Sequence, residues 1–287
     1  MPATLVSFAD GSTSGEGIIT RVEASSRGTV IVADATPFHP VDHTWPDQPG
    51  DSGTLVVGDE RVVVAEALMA AVSDEGEFAV GVDIPVKRGT EGWTWLVGHL
   101  LDGAAPAAFV DGAPVRLDVD AAQRAGLSRG HTACHLASLA LDLAVADLWR
   151  KDPGADALGN PDFEGRANQS SRIHGDGSVD EYRLGKSLRR AGFDTETFAA
   201  TLADRVSSIN AQLSAWVASA AQSHIVTEGP TIVDRRRWQC ELPEGEALIL
   251  CGGTHVASLA EFASITVDLD LSDPQLLVMT TTVVPAA

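Results

Sequence analysis

Two short clusters in this chain combine residue types and spacing suited to metal chemistry. The first is His131-Thr132-Ala133-Cys134-His135. On a helix, positions i and i+4 share a face, so both imidazoles can point at one atom. The second is Cys251-Gly252-Gly253-Thr254-His255. Thiolate and imidazole are good zinc ligands. The two glycines let the backbone turn sharply and bring both side chains inward. Together His131, His135, Cys251 and His255 offer four nitrogen and sulfur donors, a set that suits Zn2+ better than magnesium or calcium. Cys134 sits about 60° around the helix from His131 and about 100° from His135, and reads as a packed core thiol. Cys240 is an alternate ligand. Four protein ligands describe a closed structural site, whereas catalysis needs an open position or expansion to five-coordination. If a position is open, zinc activates water and polarises a carbonyl, and ester hydrolysis is natural chemistry.

The elements that must carry these clusters follow from local pattern. Residues 1 to about 118 read as strands and turns: ITRVEA, TVIVAD, GTLVVG and RVVVAEAL are short, β-branched and bounded by Gly, Asp and Ser. A small barrel or sandwich is the architecture this pattern predicts. At about residue 119 the texture changes to Ala- and Leu-rich sequence with apolar residues at helical spacing, predicting a helix from near Ser128 to Trp149. Pro153 and Gly154 end it. Residues 152–178 read as a long polar connection. TETFAATLADRVSSINAQLSAWVASAAQ reads as a second amphipathic helix. HIVTEGPTIV, RRRWQCEL, EALIL, SITVDLDL and LLVMTTTVV then read as strands. The expected fold class is therefore α+β, with a barrel-like domain over residues 1–118 and a metal-binding domain over 119–287.

Composition bounds the function. The chain has 287 residues and a formal charge of -20, which excludes a general basic nucleic-acid binder while leaving room for a local basic patch. Residues 1–120 hold 6 basic and 19 acidic residues and residues 121–287 hold 14 and 21, so the first part is the more acidic. Three scattered cysteines are too few for a disulfide framework and fit a reducing compartment. No stretch approaches the roughly 18 uncharged apolar residues of a spanning helix, and the N-terminus lacks the pattern of a secretory signal. The expectation is a soluble, cytoplasmic protein with no membrane partner.

VDAAQRAGLSRGHTACHLAS followed by CGGTHVASLAEF resembles the alanyl-tRNA synthetase editing-domain family, which includes free-standing proteins that deacylate mischarged tRNA in trans. The family pairs a helical HxxxH with a downstream CxxxH, matched here by His131, His135, Cys251 and His255. CGGTHV is the most specific string. More loosely, TPFHPVDHTWPDQPGDSGTL resembles the family's Gly-Gly-Gln segment, with Gln48, Asp51 and Gly53 in place and Pro46 and Asp47 replacing the glycines. That segment lines the amino-acid pocket in the family, so the departure bears on substrate identity. The helix around Asn210 resembles the family's second core helix.

The resemblance implies a small β-barrel followed by a two-layer α/β editing domain with a metal site. It implies zinc-dependent hydrolysis of the ester joining a small amino acid to the tRNA acceptor end. Serine or glycine on alanine tRNA is the default cargo, and a threonine analogue such as fluorothreonine is a further one. Gln48 and Thr132 would be the catalytic residues, helping to hold the aminoacyl group, with Asp51, Arg129 and Thr254 as substrate contacts. Against these roles, Thr132 and Thr254 can equally make local hydrogen bonds, and Arg129 can be a surface residue. Residues 256–287 contain no Lys or Arg, unlike many family members. The basic candidates for RNA are then Arg150-Lys151, Arg183 to Arg190, and Arg235-Arg236-Arg237. His43 and Trp45 either shape a pocket or cap a loop, and His174 reads as solvated. The alternative function is hydrolysis of a small ester or amide not attached to tRNA.

Overall fold

The computed structural model describes residues 2–287. The chain is mixed α+β, mostly sheet with few helices, and it folds as two compact units. The first takes in the chain up to Arg124 together with Ile225–Arg236 and Gly252–Thr254. The second comprises Ala125–His224, Arg237–Cys251 and His255–Ala287.

The first unit is built on β1 (Leu5–Val6), β2 (Ser14–Ser25), β3 (Gly28–Ala33), β4 (Ala35–Thr36), β5 (Gly53–Val57), β6 (Glu60–Ser73), β7 (Phe78–Val80), β8 (Trp93–Leu101) and β9 (Pro114–Val119). Seven of these form one sheet in the order β5-β9-β2-β3-β8-β6-β7, and β5 also pairs β6, so six of the strands close in a ring. One side of the ring buries Ile19, Ile31, Leu55, Met69, Val97 and Leu117. On the other side of β3, β6 and β8, Val30, Val32, Leu68, Ala70, Leu96 and Leu100 form a second buried cluster. Burial on both faces explains why TVIVA and LMAAV are continuous apolar runs rather than alternating ones. β8 and β9 add two strands that the sequence reading passed over.

The helix carrying the two histidines, α1 (Ala121–Ala144), starts and stops earlier than its pattern predicts. Asp120 caps it, its Oδ1 accepting from the Ala122 and Gln123 N–H groups, both at 3.0 Å. Gly126 and Gly130 each cost about 1 kcal/mol of helix propensity, which hid the true start from a propensity reading. A 3-10 turn at Ala146–Leu148 replaces the predicted last turn. The expected loop over 152–178 is corrected to α2 (Glu164–Ala167), β10 (Asn168–His174) and the start of β11 (Gly177–Arg183). β10 is an edge strand that buries only Ser171 and Ile173, so it carries almost no apolar alternation.

The remaining helices are α3 (Lys186–Ala191), α4 (Thr195–Ala200) and α5 (Leu202–Ser219). The single amphipathic helix expected there is split at Thr201 (φ -113, ψ 16). The strands that follow are β12 (Ser223–Thr227), β13 (Arg236–Leu242), β14 (Gly245–Leu250), β15 (Phe262–Asp273) and β16 (Leu276–Pro285). Two sheets result, an antiparallel one in the order β10-β11-β16-β15 and a three-stranded one in the order β12-β13-β14. Asn210 on α5 clamps β15: its Nδ2 donates to Val267 O at 3.0 Å and its Oδ1 accepts from Val267 N–H at 2.8 Å. The apolar core of this unit joins Leu136, Phe163, Tyr182, Leu213, Trp238 and Met279.

Candidate metal centre

His131 and His135 lie one turn apart on α1, and Cys251 directly follows β14. The residues between Cys251 and the 3-10 turn at Leu259–Glu261 form no regular element, which frees His255 to fold back. The ligand atoms of His131, His135, Cys251 and His255 all lie within 4.8 Å of one another. Cys251 Sγ is 3.3 Å from His131 Nε2 and 3.3 Å from His255 Nε2. Tetrahedral ligands at 2.0–2.3 Å from zinc are separated by roughly 3.3–3.6 Å, so the spacing suits one small ion. His135 is stacked on Trp238 at 5.2 Å and 25°, which fixes its ring plane.

The donor set can be tested against the group it would hold. His135 Nε2 is buried and has no hydrogen-bond partner. An orphaned buried polar atom costs about 1–3 kcal/mol. A bound metal ion would supply the missing partner. Burial lowers the His135 pKa to about 4, so near neutral pH the ring is uncharged and has a lone pair to give. His131 is buried and the other three are half-buried. Three imidazoles and one thiolate form a set of nitrogen and sulfur donors, and these residues fit a zinc-like ion.

Thr132 belongs to this centre. Its hydroxyl is fully buried and donates to Ser128 O at 2.8 Å. The oxygen accepts from Val256 N–H at 3.1 Å and lies 3.1 Å from His255 Nδ1. Cys134 points elsewhere, its Sγ 3.3 Å from Asp180 Oδ1, and burial pushes its thiol up. Cys240 is buried in the core on β13, outside the ligand group, with its thiol pushed up to about 12 by burial. The alternate-ligand expectation for Cys240 is thereby corrected. Its place in the strand alternation turns it into the core.

The other expected site residues gather in different places. Within the first unit, Gln48 Nε2 donates to Thr254 Oγ1 at 3.0 Å and Gln48 Oε1 accepts from Thr254 N–H at 3.1 Å. Asp51 is fully buried and paired with Arg124, whose Nε donates to its Oδ1 at 2.8 Å. Arg129 is engaged by Asp176, with Nε to Oδ1 at 2.5 Å. His39 and Arg124 were missed by sequence reasoning. His39 Nδ1 lies 3.4 Å from Gln48 Nε2, and its N–H is held by Asp51 Oδ2. The signal that marks them is the HP pair before the altered glutamine segment and a basic residue in the first turn of α1.

Among the basic candidates, Arg236 is buried rather than solvated. Its guanidinium donates to Thr231 O at 2.6 Å and Asp234 O at 3.1 Å and covers the Phe8 ring at 4.9 Å. Arg235 is exposed. Arg150 pairs with Asp194 at 2.6 Å, and Lys151 Nζ donates to Arg190 O at 2.9 Å. His43 Nε2 is 3.1 Å from Val86 O, Trp45 is exposed, and His174 is exposed at the end of β10. Among the described residues no helix is long and apolar enough to cross a membrane. No protein-family model matches the chain, and no curated protein matches it.

Proposed function

We propose that the chain is a zinc-dependent aminoacyl-tRNA deacylase acting in trans on a small amino acid. The observation that carries the reading is the convergence of His131, His135, Cys251 and His255, with His135 Nε2 left without a partner. The CGGTHV string and the helical HxxxH support it through their resemblance to the alanyl-tRNA synthetase editing-domain family. In this reading the ring-like sheet is that family's small β-barrel, and the second unit is its two-layer editing domain. The four residues hold the ion, which when bound supplies Lewis-acid polarisation of the ester carbonyl. Gln48 holds Thr254, next in the chain to the ligand His255, and Thr132 holds His255 itself. Asp51 acts through Arg124, keeping the glutamine-bearing loop in place. Arg129 and Thr254 are the substrate contacts of this reading. The partner is the acceptor end of a tRNA carrying serine, glycine or a threonine analogue, in a reducing, cytoplasmic compartment. Editing of this kind answers a physical limit, because a pocket rejects a near-isostere only modestly during charging.

A second reading keeps the zinc and drops the tRNA: hydrolysis of a small ester or amide. The formal charge of -20, the burial of Arg236 and the absence of Lys and Arg from residues 256–287 favour it. The deciding experiment is deacylation of alanine tRNA carrying Ser, Gly or Ala, and of threonine tRNA carrying Thr or fluorothreonine, with and without chelator. Chelator-sensitive release of one cargo, with its cognate spared, is expected. If folded, zinc-loaded protein releases none of them, the tRNA reading fails and small esters are the next substrates.

A further inference from the structure

We propose that the Thr132 hydroxyl sets the tautomer of His255 and so decides which ring nitrogen meets the metal. A hydroxyl has one proton to donate and two lone pairs to accept with. Thr132 has three close partners: Ser128 O at 2.8 Å, Val256 N–H at 3.1 Å and His255 Nδ1 at 3.1 Å. The Ser128 carbonyl can only accept, and it lies nearest, in the i-4 position that a helical threonine commonly bonds. The single hydroxyl proton therefore goes to Ser128 O. The Val256 N–H can only donate and takes one lone pair. His255 must then be a donor as well, with its proton on Nδ1, and it takes the second lone pair.

In the neutral ring this leaves His255 Nε2 unprotonated on the side that faces Cys251 Sγ, 3.3 Å away, within the ligand group. The opposite tautomer would put a proton where the ion must bind. Thr132 is a positioning residue: it acts on the ion through His255, and its hydroxyl has no capacity left for a substrate. Oriented outer partners of this kind are worth about 10–100-fold in metal affinity.

The inference rests on the metal centre and not on deacylation, so its test reads metal and tautomer. Zinc affinity is measured by competition with a chromophoric chelator in wild type, Thr132→Val and Thr132→Ser, with urea denaturation as the check of folding. Thr132→Val is expected to bind zinc about 10–100-fold more weakly, and Thr132→Ser to stay close to wild type. Long-range proton–nitrogen NMR on zinc-loaded wild type is expected to find the His255 proton on Nδ1, a readout that needs no variant to fold. A proton on Nε2 would overturn the proposal. So would a folded Thr132→Val with wild-type affinity, or a Thr132→Ser as weak as Thr132→Val.

Discussion

Asp51 and Arg124 form a buried ion pair in the first unit. The carboxylate is fully buried and the guanidinium nearly so. Arg124 Nε donates to Asp51 Oδ1 at 2.8 Å, while its Nη2 reaches Asp51 Oδ2 and Pro37 O. Removing one partner of such a pair strands a charge away from water, at a cost of about 3–5 kcal/mol. Arg124→Met keeps the apolar stem and removes the charge, so urea denaturation should show a loss of that size. A loss under about 1 kcal/mol would mean that Asp51 is not left as an uncompensated buried charge. The four residues of the candidate metal centre were legible at this scale because chemistry and spacing are written directly in the chain. Asp51 was legible only as a motif position, since its role depends on an arginine 73 residues away.

The close approach of α1 to the β10–β11 turn illustrates what an element's neighbours demand of it. A Cβ on Gly130 would lie 2.4 Å from His174 O and 2.7 Å from Gly177 O, both backbone atoms that cannot move aside cheaply. Alanine is the better helix former by about 1 kcal/mol, yet this contact reverses the sign. Gly130→Ala should destabilise the protein by about 1–3 kcal/mol through overpacking, read as a lower urea midpoint. A raised midpoint would mean that α1 does not pack this tightly against the β10–β11 turn. The same competition explains the misread boundaries. Propensity placed the helix start at Ser128, while the Asp120 cap and tertiary packing place it at Ala121. The break at Thr201 has a comparable origin: Thr201 Oγ1 bonds back to Thr197 O at 2.8 Å, an option that no periodicity reveals.

Across the whole molecule, acidity shapes how stability responds to pH. Burial raises the Asp142 carboxyl from its ordinary 3.8 to about 8, and Glu164 to about 7. Both values are higher folded than unfolded, so the folded chain keeps protons that the unfolded chain releases. The stability they contribute is complete below about pH 4 and is lost as pH rises through about 7 to 8. Urea midpoints should therefore fall between pH 6 and pH 9, by a change on the order of 1–3 kcal/mol. Asp142→Asn should flatten much of that slope. The amide oxygen can still accept from the Phe163 and Glu164 N–H groups, as Asp142 Oδ1 does at 2.9 Å to each, without a charge to bury. A wild-type profile that is flat over this range would count against the buried, protonated state.

The sequence alone determined the mixed α+β class, most of the strands with β-branched runs, the existence of the long helices and the four residues whose donor atoms meet in the candidate metal centre. Each is legible because it is local: periodicity, propensity and ligand chemistry need only a residue's own neighbours in the chain. Tertiary structure decided the rest. It grouped Ile225–Arg236 and Gly252–Thr254 with the first unit, made an edge strand of the polar Asn168–His174 segment, and turned Arg236 inward onto carbonyls and the Phe8 ring. It also filled the Thr132 hydroxyl with partners up to 124 residues away. These outcomes rest on which distant groups meet, and on the free energy of satisfying every buried donor and acceptor at once, quantities that no short window of sequence contains.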